Sequence, residues 1–274
     1  MPLPIESALD PLHRALRERG AAVLVAPPGA GKTTRVPLAL LDEPWLGGKS
    51  IVMLEPRRLA ARAAAGFMAR GLGEEPGGVV GYRVRLDSRV GPGTRVEVVT
   101  EGILTRRLQG DPGLDGVGLV IFDEFHERSI HADLALALCL DARAALRPDL
   151  RVVVMSATME AEPVARLLGD AAVVRAEGRC FPVETRYLGR DGGRDRVPAV
   201  VEAARRALAE ERGSVLVFLP GAGEIRRAEA MLRGVGPNVA VAPLYGDLAR
   251  EAQDQAIQPA PPGWRKVVLA TSIA

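Results

Sequence analysis

The feature that most constrains the fold is a glycine-rich loop, residues 26–34, between an apolar segment and a helical pattern. Its sequence is Ala-Pro-Pro-Gly-Ala-Gly-Lys-Thr-Thr, and residues 21–25 before it are all apolar. Glycine-rich backbone after a strand can curl its N–H groups around an anion, and the helix N-terminus adds partial positive charge. The loop therefore predicts an α/β sheet with a site for a nucleoside triphosphate. The residues predicted to bind it are Pro28, Gly29, Ala30, Gly31, Lys32, Thr33 and Thr34.

Two side chains give this loop its chemistry. Lys32 supplies a point charge for the outer phosphates, and the Thr33 hydroxyl can complete the coordination of a Mg²⁺ ion. Ala26 stands where the common G-x-x-x-x-G-K-[ST] pattern has its first glycine, so the loop belongs to a narrower type. The alternative, a turn that only caps a core helix, would not need the Lys-Thr pair.

A second motif follows the apolar residues 119–122, where the sequence continues Asp123-Glu124-Phe125-His126. Carboxylates at the C-terminal end of a central strand lie where α/β sheets bind ligands. Asp123 is predicted to hold Mg²⁺, and Glu124 to polarise the water that attacks the γ-phosphorus. The predicted metal ligands are Thr33, Asp123 and Glu124. The alternative, acidic residues that only solvate a loop, is weaker beside a phosphate-binding loop.

Apolar and helical segments alternate through the first part of the chain. Buried strands are predicted at residues 21–26, 51–54, 96–100, 119–122, 152–155 and 173–174. Helices are predicted at residues 57–70, 101–109, 132–145 and 162–168. This alternation predicts a parallel sheet with helices on both faces.

A second series of elements begins after a short connector. We expect a first domain at residues 1–177, a linker at 178–182 and a second α/β domain at 183–274. The second domain is predicted to have strands at 183–188, 215–219, 239–242 and 267–270, and helices at 198–211 and 224–232. Because the sequence stops at its fourth strand, we expect this domain to be incomplete.

Composition sets broad limits. Hydrophobic residues make up 47% and charged residues 26%, which is typical of a globular protein. No apolar run approaches the roughly 20 residues that span a bilayer, and the N-terminus does not resemble a secretory signal, so we expect a cytoplasmic protein without membrane contact. Cys139 and Cys180 are expected to be free thiols. The formal net charge of +2 is too small to indicate nucleic-acid binding by itself.

Taken together, these motifs resemble the helicase core of superfamily 2, and the Asp-Glu-x-His form resembles DEAH-box helicases. Further segments match in order. They are 55–58 (Glu-Pro-Arg-Arg) as motif Ia, 100–104 as motif Ib, 156–158 (Ser-Ala-Thr), 218–221 as motif IV and 266–273 as the opening of motif V. The resemblance implies a RecA-like P-loop fold, followed by a partial second RecA-like domain.

The resemblance also implies roles that spacing alone does not give. His126 joins Lys32, Asp123 and Glu124 in the catalytic set, and Ser156 and Thr158 would couple hydrolysis to strand movement. Nucleic-acid backbone contacts are implied at Arg57, Arg58, Thr100, Gly102 and Thr271. The implied cofactors are ATP and Mg²⁺. The implied partner is nucleic acid, with RNA favoured over DNA, bound by a monomer.

Two departures from the family pattern bear on activity. The positions that clamp the adenine base in relatives align with Phe67 and Ile257 here, which differ from the usual arginine and aromatic residue. The sequence also stops before the glutamine and arginines of motif VI, and loss of an arginine finger typically lowers turnover by about 10³ to 10⁵.

Three hypotheses therefore remain, in decreasing order of support. The leading one is an ATP-dependent DEAH-type helicase or translocase that acts on RNA, an NTP phosphohydrolase when complete. The alternative is that these 274 residues, without motif VI, form a nucleotide- and nucleic-acid-binding module with little or no turnover. A different P-loop ATPase is a third reading, and the motif Ia, Ib and IV matches disfavour it.

Overall fold

The computed structural model describes residues 3–157, 161–178, 182–189 and 195–272. Thr158, Cys180 and most of the expected linker lie outside these ranges. The chain separates into two compact units, Met1–Pro182 and Val183–Ala274.

The first unit is built on a sheet that comprises eight strands among the described residues. Its strands are β1 (Ala21–Val25), β2 (Ser50–Leu54), β3 (Val80–Val84), β4 (Asp87–Arg89), β5 (Val96–Val99), β6 (Val117–Phe122), β7 (Arg151–Ser156) and β8 (Ala172–Arg175). Their order across the sheet is β4-β3-β5-β2-β6-β7-β1-β8, and every pairing is parallel except that of β3 with β4. The predicted α/β class with a parallel sheet is confirmed.

Helices cover both faces of this sheet. They are α1 (Glu6–Arg19), α2 (Lys32–Ala39), α3 (Arg58–Gly71), α4 (Glu101–Gly110), α5 (Ile130–Ala145) and α6 (Ala161–Leu167), with short 3-10 helices at Pro44–Leu46 and Phe125–Glu127. Alternate residues of β2 belong to different cores: Ile51 and Met53 pack with α1 to α3, whereas Val52 and Leu54 pack with α4 to α6. Burial on both faces explains why the strands are continuous apolar runs.

The second unit contains a smaller parallel sheet in the order β10-β11-β9. Its elements are α7 (Val197–Glu210), β9 (Val215–Phe218), α8 (Ala222–Met231), β10 (Val239–Leu244), α9 (Arg250–Ile257) and β11 (Arg265–Ala270). Val267 and Leu269 of β11 are fully buried against α7 and α8, whereas Leu216 and Phe218 of β9 are more than half exposed.

The strand predicted at 183–188 is wrong. Residues 182–189 carry no regular secondary structure, and the side chains of Val183 and Tyr187 are almost fully exposed. The apolar residues there are present, but no neighbouring strand pairs with them within the described part of the chain.

None of the described helices has the length and hydropathy needed to cross a bilayer.

Candidate nucleotide and nucleic-acid site

The phosphate-binding loop lies between β1 and α2, as its sequence predicts. Gly29 and Gly31 have φ of +74° and +94°, in the left-handed region that favours glycine. A Cβ on Gly31 would also stand 2.9 Å from Leu3 Cδ1 and 3.3 Å from Ile5 Cγ2. The N–H of Ile5 donates a hydrogen bond to the Ala30 carbonyl at 3.1 Å. The segment before α1 therefore packs against the loop, and its side chains together with the positive φ require glycine at position 31.

Lys32 and Glu124 meet at the centre of the site. Lys32 Nζ lies 2.7 Å from Glu124 Oε1, although 92 residues separate them in sequence. The Lys32 side chain is almost completely buried, and that of Glu124 is one-quarter exposed. The two predicted elements, the loop after β1 and the end of β6, therefore face the same site.

Asp123 lies beside this pair and is 1% exposed. Its Oδ1 accepts a hydrogen bond from the Glu124 N–H at 2.8 Å, whereas Oδ2 is buried without a hydrogen-bond partner among the described residues. Burial is the main cause that raises the pKa of Asp123 to about 6, and a hydrogen bond from Thr33 acts in the opposite direction. A buried carboxylate oxygen without a hydrogen-bond partner can coordinate a cation.

His126 connects Glu124 to the segment after β7. Its Nδ1 lies 3.4 Å from Glu124 Oε2 and 3.4 Å from the backbone nitrogen of Ala157. Ser156 is completely buried at the end of β7, and its carbonyl accepts a hydrogen bond from the Ala26 N–H at 3.0 Å. Of the Ser-Ala-Thr motif, Thr158 lies outside the described residues.

The candidate nucleic-acid residues of the first unit follow β2 and β5, which are neighbours in the sheet. Arg57 precedes α3, and the next residue, Arg58, is exposed. Thr100 is buried at the N-terminus of α4, and Gly102 is exposed one residue into that helix. Thr271 belongs to the second unit, where its N–H donates to the Leu244 carbonyl at 3.1 Å.

Two carboxylates to which the sequence motifs assign no role lie beside these residues. Glu55 is 3% exposed, and burial followed by repulsion from Asp123 raises its pKa to about 8. Glu127 Oε1 pairs with Arg57 Nη2 at 2.8 Å. An acidic residue directly after a buried strand is the signal that could have identified Glu55, but the Glu127 contact depends on tertiary structure.

The two adenine-clamp positions are exposed apolar side chains. Phe67 is 59% exposed and lines a hollow of about 240 Å³ together with Thr34 and Arg35 of α2. Ile257, at the end of α9 in the second unit, is 45% exposed. Neither position carries a charged side chain.

Comparison with known proteins supports the DEAH-box resemblance. A family model described as DEAD/DEAH box helicase matches residues 7–167. The chain is 53% identical to the ATP-dependent RNA helicase HrpB of Escherichia coli over 99% of its own length and 34% of that protein. It is 34% identical to the ATP-dependent RNA helicase HrpA of Escherichia coli, over 99% of this chain and 21% of HrpA.

Solved structures give the same result for the fold. A crystal structure of the Escherichia coli DEAH/RHA helicase HrpB matches with a TM-score of 0.91 and 52% identity, over 99% of this chain and 35% of that one. The chain thus spans about a third of the length of the protein with which it shares 53% identity.

Proposed function

Because the chain belongs to the DEAD/DEAH box helicase family, we propose that it binds Mg-ATP and RNA as part of an ATP-dependent helicase or translocase. The relatives with 53% and 34% identity are named ATP-dependent RNA helicases, which favours RNA over DNA. The observation that carries the proposal is the contact between Lys32 and Glu124, because it joins the phosphate-binding loop to the candidate hydrolytic carboxylate.

Backbone and side-chain groups of the site have separate roles in ATP hydrolysis. Backbone N–H groups of residues 29–34 surround the phosphates, while Lys32 exchanges its contact with Glu124 for one with the outer phosphates. Glu124 is then free to accept the proton of the attacking water at a carboxylate oxygen. His126 Nδ1 lies 3.4 Å from both the second oxygen of Glu124 and the nitrogen of Ala157. It accepts from the Ala157 N–H when it carries no proton and donates to Glu124 when it does, so it can link hydrolysis to the Ser156 segment.

The residues present also fit a Mg²⁺ ion. The unpartnered Oδ2 of Asp123 and the hydroxyl of Thr33 are hard oxygen donors beside the phosphate-binding loop. Asp123 and Thr33 would hold the ion, with Glu124 next to them. When bound, it would neutralise charge that develops on the phosphate oxygens.

RNA would bind at the ends of β2 and β5. Arg57, Arg58, Thr100 and Gly102 would contact the sugar-phosphate backbone, which positions a strand without reading its sequence. For the second unit, taken by itself, we propose a backbone contact at Thr271. We further propose that the protein acts as a monomer in the cytoplasm.

The test is RNA-stimulated phosphate release by the full-length protein, compared with the Glu124→Gln variant. Gln keeps the shape of the side chain but accepts no proton, so we expect ATP binding to persist while turnover falls by about 10² to 10⁴. Glu162→Gln is the matched control because Glu162 pairs with Arg175 at the surface. Normal turnover by Glu124→Gln would contradict its role, and ATP binding without turnover in the wild type would indicate a binding module.

A further inference from the structure

The ion pair between Arg57 and Glu127 connects the two candidate sites. Arg57 lies three residues after the end of β2 and is a proposed RNA contact, whereas Glu127 ends the 3-10 helix that begins one residue after Glu124. Their atoms Nη2 and Oε1 are 2.8 Å apart, and the side chains are 39% and 34% exposed. A ligand at the surface can therefore reach the pair.

A second contact holds the backbone of Arg57. Its N–H donates to Glu55 Oε1 at 3.3 Å. Glu55 and Asp123 follow neighbouring strands in register, because Leu54 pairs with Phe122 and the Asp123 N–H donates to the Leu54 carbonyl at 2.9 Å. These two contacts of Arg57 thus lead to residues next to the proposed hydrolytic carboxylates.

The 3-10 helix is bounded by strained backbone. Glu124 and Arg128 have φ of +48° and +46°, although neither is glycine. Such conformations persist only when surrounding contacts hold them, and they are common at switch segments. The Glu127 N–H donates to the Glu124 carbonyl at 2.9 Å, so a change at Glu127 reaches Glu124 within one turn.

Phosphate and carboxylate compete for the same guanidinium group, since both offer oxygens that match its planar donors. We propose that an RNA phosphate displaces Glu127 from Arg57, which releases the 3-10 helix so that Glu124, once ATP has taken over the contact of Lys32, can reach the attacking water. Glu127 is then a positioning residue through which RNA stimulates ATP hydrolysis. This inference rests on the proposed function.

The pair can be broken from either end. Glu127→Gln leaves Arg57 available to phosphate, whereas Arg57→Gln removes the phosphate contact itself. We expect both variants to raise the RNA-independent ATPase rate at least twofold and to lower the ratio of RNA-stimulated to unstimulated rate. Their RNA affinities should move in opposite directions. Glu127→Gln should bind about 2- to 5-fold more tightly, the range expected when an exposed ion pair no longer competes, and Arg57→Gln more weakly.

The measurements are ATPase rates and fluorescence anisotropy with an unstructured 20-nucleotide RNA at one stated salt concentration, using the full-length protein. Glu162→Gln is the control, because its partner Arg175 also presents Nη2 to Oε1 at 2.8 Å. Glu127→Asp keeps the charge and should restore part of the RNA dependence. Melting curves identify any variant that fails to fold, and the other end of the pair then carries the test.

Three results would overturn the inference. A Glu127→Gln variant with the stimulation ratio of Glu162→Gln would show that the pair does not couple the sites. A fall in RNA affinity in both Glu127→Gln and Arg57→Gln would show that the ion pair only stabilises the local structure and that Glu127 does not compete with RNA for Arg57. A wild-type protein whose ATPase ignores RNA would remove the proposed function as well, whereas a stimulated wild type with an equally stimulated Glu127→Gln variant removes the coupling alone.

Discussion

The two halves of the sheet's carboxyl edge bury their charges to different extents. At β1, β6 and β7, the proposed nucleotide half, Lys32 is 4% and Asp123 1% exposed. At β2 and β5, the proposed nucleic-acid half, the side chain of Arg57 is 39% exposed and Arg58 is also exposed. Removing a buried charge leaves its partner without compensation, whereas exposed ion pairs contribute little. The comparison therefore orders the expected effects of substitution.

Lys32→Ala is expected to have the largest effect on binding. It removes a buried ammonium from the phosphate-binding loop and leaves Glu124 facing the anionic ligand, so ATP affinity should fall by about 10²-fold, the scale of a lost buried charge pair. Isothermal titration with Mg-ATP measures it. Lys49→Ala is the control, since Lys49 pairs with Asp149, just before β7 at the opposite edge of the sheet. Equal ATP affinities for the two variants would contradict the proposed site.

Glu55 is an exception to this difference in burial. It follows β2, yet its exposed fraction of 3% is as small as those of Lys32 and Asp123. Its carboxyl has a folded-state pKa of about 8 against 4.5 as the ordinary value. Between these values the folded state keeps a proton that the unfolded state loses, so the wild-type free energy of unfolding should fall as pH rises from about 4.5 to about 8. Glu55→Gln does not titrate and should be spared this loss.

The difference between Glu55→Gln and wild type should therefore grow with pH by up to about 1.4 kcal/mol per pH unit. Urea unfolding at pH 6, 7 and 8 measures it, with Trp45 as the reporter of the first unit in a Trp264→Phe background. Glu75→Gln, at an exposed position before β3, should parallel the wild type. A constant difference across this range would show that Glu55 is ionised throughout.

The same contrast separates what sequence could predict from what it could not. The motifs predicted that the Lys32 loop and Asp123–Glu124 both follow strands of one parallel sheet. The carboxyl ends of parallel strands lie at the same edge, so these residues were expected to lie close together. Strands β2 and β6 could be predicted as continuous apolar runs, because both faces of each strand are buried. The hairpin of β3 and β4 was missed, because Gly81 interrupts β3 and β4 is a short polar edge strand.

Side-chain partners were not predictable in this way. The Arg57–Glu127 contact joins residues 70 positions apart, and nothing in either local pattern specifies it. The false strand at 183–188 has the same origin, since an apolar pattern carries no information about whether another strand lies beside it. Which elements exist followed from local sequence, but which charges meet depended on the folded sheet.

Arg58→Ala should have the smallest effect and tests the exposed half without touching the Glu127 pair. Loss of one phosphate contact should weaken RNA binding a few-fold and make the slope of log affinity against log salt shallower by about 0.7. ATP affinity should stay unchanged. Anisotropy titrations at several salt concentrations measure the slope, with Arg14→Ala on α1, which packs against β1 and β8, as the control. An unchanged slope would place the RNA backbone away from the start of α3, and Arg57 would then have no phosphate to exchange for Glu127.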